Sequence, residues 1–282
     1  MEKFKAVLAL AATAFLAACS VSKGINKEDA VKKVNEFSTH VKEDSFKLPT
    51  KLSLKNVTEA TGSDAMSMTV EAEVDTEAKK LYTGMEMGEM KMYSWLWSAD
   101  NKYYYALSDS PTEFAEGTYT ELDAASFDGY FAEYNEYLTK DSIASILDNL
   151  AETIENLELP KNSTADDEES IVYSFDSSDS SESFLTSGDG NLDVDYTLKA
   201  KGTVSETDED GNELNGPFEV EMTYSCSIDK YLPIKESIES KTVAPSPEGQ
   251  ATITVKTTTT YHWGECKFSA PDLTKFPSPT GE

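Results

Sequence analysis

Apolar residues recur at helical spacing in two stretches of the chain. In the first, a capping Asn26 precedes acidic residues and an apolar face, which predicts a helix over residues 27–43. The second predicts a helix over residues 141–158, which ends before Pro160. Aromatic residues between positions 127 and 138 predict one or two further helical turns just before it.

Elsewhere, apolar and polar residues alternate, which is typical of strands with one buried face. The alternation predicts about five strands before the helix over residues 141–158 and about six after it. Short turns join neighbouring strands, so we expect antiparallel pairing. Helices gathered beside one antiparallel sheet make an α+β fold, which is the fold class that the pattern predicts.

Asp100 and Asn101 form a two-residue hairpin signal. With these residues as the loop, Trp97 pairs with Tyr104, and large apolar side chains lie on both faces of the hairpin. A sheet that is wet on one side carries such side chains on one face. We therefore expect both faces to be covered here, or one of them to line a cavity.

A cluster of methionines and aromatic residues in these strands is the best candidate for a ligand site. Methionine is unbranched and polarizable, so it suits a pocket that accepts flexible chains. The candidate ligand-binding residues are Met85, Met87, Met90, Met92, Leu96, Tyr103 and Tyr105. Ordinary core packing under the mid-chain helix is the alternative interpretation of the same residues.

A segment rich in Ser, Asp and Glu covers residues 161–191. Apolar residues at 171–175 predict a short strand within it, and the acidic flank at 176–182 is expected to be a solvated loop. Gly-containing acidic runs at 187–191 and 208–212 predict hairpin turns, because Gly and Asn tolerate positive φ. Calcium binding is the less favoured alternative, because neither spacing fits the helix-loop-helix calcium pattern.

The charge balance excludes several partners. The chain has 52 acidic residues against 24 basic ones, a net charge of −28, and every basic residue is lysine. Such a chain repels nucleic acid, and it lacks the arginine that normally binds phosphate with two hydrogen bonds. We expect no nucleic-acid partner and no phosphoryl-transfer chemistry.

Residues for catalysis or metal binding are also scarce. His40 and His262 are the two histidines, too few for a multi-histidine metal site and little material for a Ser-His-Asp hydrolase. Carboxylates are abundant, but nothing in their spacing marks a pair for glycoside hydrolysis. We therefore expect a protein that is not an enzyme and that has no cofactor or metal.

Residues 1–18 have the pattern of an export signal. Lys3 and Lys5 precede an apolar stretch that is too short to remain as a membrane-spanning helix, and the stretch ends in Leu-Ala-Ala followed by Cys19. This segment resembles a bacterial lipoprotein signal. The resemblance implies that Cys19 is lipidated and starts a mature chain held by a tether at 19–25 to the extracytoplasmic face of the cell membrane. An ordinary cleaved signal is the alternative.

Cys226 and Cys266 remain once Cys19 is assigned to lipid attachment. An exported domain permits a disulfide between them, which we expect. Two separate buried thiols are the alternative.

The order of the elements adds a second resemblance. A helix, a run of strands, a mid-chain helical pair and a second run of strands are similar to the LolA/LolB/LppX-type exported lipoproteins. The strand opening at 231–237 and the aromatic last strand before Pro271 resemble that family too. The resemblance extends over residues 26–272, beyond which 273–282 is a Pro-rich tail.

The family resemblance implies a strongly bent antiparallel sheet, a half-barrel of about 10–11 strands, wrapped on the N-terminal helix and the mid-chain helical segment. It also implies a hydrophobic cavity for acyl chains between sheet and helices, although the arginine that some carriers use to regulate lipid release has no counterpart here. We expect a cell-envelope lipoprotein that binds or transfers an acyl chain, a lipid or another amphiphile. The alternative is a surface or structural lipoprotein that binds another envelope protein.

Overall fold

The computed structural model describes residues 22–62, 65–111, 118–134, 138–162, 171–207, 213–246 and 249–272. These residues form three α-helices and one sheet of twelve strands. The helices are α1 (Lys27–Lys42), α2 (Ala124–Tyr134) and α3 (Lys140–Glu155). The strands are β1 (Lys23–Ile25), β2 (Lys51–Thr61), β3 (Met66–Asp75), β4 (Lys80–Met87), β5 (Met90–Ala99), β6 (Lys102–Ser108), β7 (Thr118–Leu122), β8 (Ile171–Thr186), β9 (Leu192–Thr207), β10 (Glu213–Asp229), β11 (Leu232–Ser246) and β12 (Gly249–Trp263).

Side-chain caps set the start of two helices. Asn26 Oδ1 accepts a hydrogen bond from the backbone N–H of Asp29 at 2.7 Å, which satisfies a donor that the first turn of α1 leaves free. Thr139 Oγ1 accepts one from the backbone N–H of Ser142 at 3.1 Å at the start of α3. Both helices lie within one turn of the bounds that the apolar spacing predicts, and α2 corresponds to the aromatic turns before α3.

The sheet is antiparallel and open. Its strand order is β1-β8-β9-β10-β11-β12-β2-β3-β4-β5-β6-β7, so β12 joins the two runs of strands by pairing with β2. The number of strands exceeds the expected 10–11 because both edges carry a short strand. One is β1, in the stretch expected to be a tether, where Ile25 pairs with Phe184 of β8. The other is β7, which pairs with β6.

The hairpin of β5 and β6 has the predicted register. Asp100 and Asn101 form its loop with φ of 52° and 61°, the left-handed conformation of a tight hairpin turn. Trp97 lies opposite Tyr104, as predicted. The prediction for this hairpin is therefore confirmed residue by residue.

The helices pack on one face of the sheet, which we call the inner face; the opposite face is the outer face. Buried side chains of α1 and α3 contact those of β8 to β11. Phe127 of α2 packs with Leu96 and its neighbours on β2 to β5 and β12. Ile146 and Trp263 pack against both groups, so the helix-covered core is continuous across the sheet.

The outer face has its own buried cluster at the hairpin of β5 and β6. Trp95, Trp97 and Tyr104 pack there with Phe268, which comes from the segment after β12. Because Leu96 lies in the core on the inner face, both faces of this hairpin are covered near its turn, as expected.

The predicted loop at 176–182 is wrong. β8 continues through it to Thr186 and pairs along its length with β9, with one irregularity between Phe175 and Ser177. The turn at 187–191, where Gly188 and Gly190 have positive φ, holds the two strands as a hairpin, and this pairing outweighs the weak strand preference of Ser and Asp. The predicted turn at 208–212 lies outside the described residues.

Candidate functional site

The predicted ligand-binding residues fall into two groups. Leu96 is buried beneath α2. The ring centroid of Tyr103 lies 4.6 Å from that of Phe127, and that of Tyr105 lies 5.7 Å from that of Tyr130, so both tyrosines pack against α2. For these three predicted residues, core packing is the better interpretation.

The four methionines lie on the inner face outside the buried clusters. Met85 lies opposite Met92, and Met87 lies opposite Met90. Met87, Met90 and Met92 are 36%, 47% and 53% exposed. The structure therefore brings these predicted residues together and leaves them accessible.

The exposed apolar surface also continues across the sheet, which the sequence did not indicate. We call it the inner-face band, and the strand register places its members on one face: Met66, Met87, Met90, Met92, Leu107, Ile238, Ile253 and Val255. It extends over β11, β12 and β2 to β6. Five strand spacings separate β11 from β5, which corresponds to about 24 Å. The sequence could not indicate this surface because it depends on the pairing of β12 with β2, which brings together apolar positions that are far apart in sequence.

The two faces of the sheet differ in their charged side chains. On the outer face, Lys–Glu pairs bridge neighbouring strands at 2.7 to 2.9 Å: Lys55–Glu71, Lys256–Glu239, Lys199–Glu221 and Lys201–Glu219. Around the inner-face band, the inner positions of β2 to β5, β11 and β12 are uncharged except for Glu236. In a chain of net charge −28, an uncharged exposed surface of this extent is the candidate site of contact with an apolar ligand.

Hydrogen-bonding side chains on β2, β12 and β11 interrupt the band, and we call them the polar row; in the strand register Thr58 and Thr257 lie between Met87 and Ile238. Asn56 donates a hydrogen bond to Thr259 Oγ1 at 2.8 Å, and the hydroxyls of Thr58 and Thr257 lie 3.1 Å apart. Glu236 lies opposite Thr259 on the next strand. An apolar surface that surrounds a few hydrogen-bonding side chains has the layout of a site for an amphiphile.

Burial dominates the ionisation of the groups around Glu236. It raises the pKa of the Glu236 carboxyl, partly offset by a hydrogen bond from Tyr224. It also raises the pKa of Tyr261 to about 12, and that of the Cys226 thiol to about 12. A thiol with so high a pKa holds very little thiolate at neutral pH, so Cys226 is a poor nucleophile.

The predicted disulfide between Cys226 and Cys266 is not formed, because both are free thiols. Cys226 is buried on the inner face of β10. Cys266 lies beyond the end of β12, close to Glu73 and Asp75. β11 separates β10 from β12, and the chain has left the sheet before Cys266, so the two sulfurs belong to different regions.

The two histidines lie in different parts of the fold, one on α1 and the other in β12. His40 on α1 contacts Glu43 at 3.1 Å and the ring of Tyr231. His262 lines an outer-face cleft of about 460 Å³, whose acids are already paired. There Glu73 accepts hydrogen bonds from Ser53 at 2.6 Å and from the backbone N–H of Lys267 at 2.7 Å, which fastens the C-terminal segment.

A groove of about 750 Å³ follows the surface of α1, and its described lining is mostly polar, including Lys27, Asn35 and Glu155. It is distinct from the expected cavity between the sheet and the helices. Ile143, Leu147 and their neighbours fill that space where α3 packs on the core. The inner-face band, which is open, is therefore the better candidate for an apolar ligand.

No protein-family model and no curated protein matches this chain. None of the three described helices has the length and apolar character needed for a membrane crossing. Within the residues that the structure describes, His, Cys, Asp and Glu side chains form no group of three suited to a metal ion. Cys19 and the tail at 273–282 lie outside those residues.

Proposed function

We propose that this protein is a cell-envelope lipoprotein, anchored through Cys19 to the extracytoplasmic face of the membrane, that binds a hydrophobic or amphiphilic ligand without catalysing a reaction. The inner-face band is the observation that carries the proposal. An acyl chain or the chain of a lipid is the proposed ligand, and an arrangement like the LolA-type half-barrel would curve the open sheet around it.

The dimensions and energetics of the band support this ligand class. One acyl chain spans about half of a hydrocarbon core of about 30 Å, so a surface extending about 24 Å accommodates it. Fully burying a Met, Leu or Ile side chain contributes about 1.5–3 kcal/mol. The eight side chains are between 36% and 53% exposed, so covering them contributes roughly 5–10 kcal/mol before the cost of ordering the ligand.

A protein partner on the outer face is the less supported alternative. That function calls for exposed aromatic side chains, but Trp95 and Trp97 on the outer face are 4% and 2% exposed. They pack with Tyr104 and Phe268 instead. The apolar surface that remains accessible is on the inner face. Its methionine side chains are flexible, which suits an acyl chain better than a rigid protein surface.

Two measurements test the proposal. Labelling cells with a tagged palmitate should mark the wild-type chain, and Cys19→Ala should abolish the label.

The mature chain with Cys19→Ser, which keeps every described residue, should enhance the fluorescence of an uncharged naphthylamine dye, and dodecyl ligands should displace that dye. An unlabelled wild-type chain would refute the anchor, and the absence of any dye or co-purifying lipid would refute ligand binding.

A further inference from the structure

Glu236 faces the inner side of the sheet with spare capacity to accept hydrogen bonds. In the described part of the chain, its carboxylate accepts one hydrogen bond, from the Tyr224 hydroxyl at 3.3 Å, which is long for this type of bond. A carboxylate offers about four acceptor positions. Ile238, two residues farther along β11 on the same face, is 41% exposed, so the carboxylate lies beside accessible apolar surface.

The polar row extends this acceptor capacity beside Glu236. Thr259 lies opposite Glu236 and already accepts the hydrogen bond of Asn56, whose side-chain oxygen can accept others. The hydroxyls of Thr257 and Thr58 lie next along the same two strands. A polar group placed here would meet the Glu236 carboxylate, which only accepts hydrogen bonds when ionised, and threonine hydroxyls, which both donate and accept, with the inner-face band on either side.

Among the described strands of this surface, no lysine lies on the inner face, where it could bind an anionic group. The register places the lysines of β2 to β6 and β9 to β12, which the structure describes at these positions, on the outer face: Lys51, Lys55, Lys80, Lys91, Lys102, Lys199, Lys201, Lys235, Lys241 and Lys256. A carboxylate or phosphate at the polar row would therefore meet Glu236 without a compensating cation, which is unfavourable.

We propose, on the basis of the proposed function, that the polar row binds the head of an amphiphile whose chain lies on the inner-face band, and that this head donates hydrogen bonds and is uncharged or cationic. Amines and sugar hydroxyls share this chemistry. Free fatty acids and phosphate-headed chains are disfavoured. The ligand class follows from the placement of the Glu236 carboxylate on this face and of the lysines on the opposite face.

Competition between ligands with one common chain tests the head group. The lipid-free chain with Cys19→Ser is loaded with the uncharged dye, which is displaced by dodecylamine, dodecyl maltoside, dodecanoate or dodecyl phosphate. The amine or the maltoside should displace the dye at a concentration at least about ten-fold lower than either anion, since hydrogen bonds to a charged acceptor are worth that factor or more. The amine and maltoside arms separate a cationic head from a sugar head.

Two variants assign the selectivity to its source. Glu236→Gln should reduce the preference for the donor head to about three-fold or less while dye affinity stays unchanged. Glu239→Gln removes a carboxylate of the same strand from the outer face and should leave the preference intact, which controls for net charge. Equal displacement by anions and donors in the wild type would overturn the head-group inference even if Glu236→Gln failed to fold. Loss of dye binding in the wild type would instead overturn the proposed function.

Discussion

Met87 lies directly opposite Met90 across β4 and β5, and both side chains are more than a third exposed on the inner face. A cross-strand pair of this kind normally stabilises a sheet by packing against a layer above it. Here the layer formed by the helices covers Leu96, farther along the same face, while this pair remains outside the buried clusters. We therefore expect ligand binding and stability to depend on different side chains of the same strands, the exposed ones and the buried ones.

A charge introduced into the inner-face band should abolish binding without unfolding the protein. Met90→Glu places a carboxylate where an apolar chain would lie, so we expect the affinity for the uncharged dye to fall by about ten-fold or more. The free energy of unfolding should change by about 0.5 kcal/mol or less, because Met90 is exposed. Thr254→Glu adds the same charge on the outer face, opposite Lys241, and should bind normally. Dye titration and urea unfolding measure the two quantities, and equal binding by both variants would contradict the assignment.

The division of the predicted site into core and band can be tested on one strand. Leu96 is 1% exposed and Met92 is 53% exposed, and both point to the inner face of β5. Leu96→Ala should lower the free energy of unfolding by about 2–5 kcal/mol because it leaves a cavity beneath α2. Met92→Ala should cost less than about 1 kcal/mol and should weaken dye binding instead. Urea unfolding of both variants decides the point, and similar losses of stability would show that Met92 belongs to the core.

Local patterns predicted the elements that depend on neighbouring residues. Asn26 caps α1 because a side-chain oxygen near the first turn satisfies a free N–H, wherever the helix packs. Asp100 and Asn101 form a turn because both tolerate positive φ. The methionines of β4 and β5 lie together as predicted for the same reason, since a short hairpin brings them together without help from the rest of the chain.

Features that depend on distant pairing could not be predicted in the same way. The acidic stretch of β8 is a strand because β9 offers a full set of backbone partners, which the weak preferences of Ser and Asp do not reveal. Ile253 joins the inner-face band because β12 pairs with β2. The separation of Cys226 from Cys266 likewise follows from the sheet order, which no spacing along the chain specifies.

Gly202 is required by the irregular pairing of β8 with β9. A Cβ at this position would lie 2.0 Å from the carbonyl oxygen of Ser174 and 2.7 Å from Cα of Phe175, both backbone atoms that a rotamer change cannot move. Gly202→Ala should therefore lower the free energy of unfolding by about 3 kcal/mol. Gly129→Ala on α2 meets open space and should stabilise the protein by up to about 1 kcal/mol. Urea unfolding compares the two variants, and an unaffected Gly202→Ala would show that β8 is not held in this register.

Glu236 should make the protein less stable as pH rises. Burial raises the pKa of its carboxyl in the folded state above the ordinary value of 4.5. Between these two values the folded state binds more protons than the unfolded state, so this group's contribution to stability is present below the ordinary pKa and is lost as pH rises through the raised one.

Glu236→Gln removes this titration while keeping an acceptor for the Tyr224 hydroxyl. The variant should be more stable than the wild type at neutral pH, and the difference should vanish at about pH 4, where the wild-type carboxyl is neutral in the folded state. Glu239→Gln, which loses a surface pair with Lys256, should not show this pattern. The pKa shift of Asp75 has the opposite sign. Burial would raise its pKa, but a hydrogen bond from the Ala78 N–H and the Lys51 ammonium outweigh burial and lower it. The contribution of Asp75 to stability therefore disappears as pH falls. Urea unfolding at both pH values measures the effect. A Glu236→Gln difference that grows toward low pH would show that the carboxyl is stabilised in its charged form and is not the weakly satisfied acceptor of the polar row.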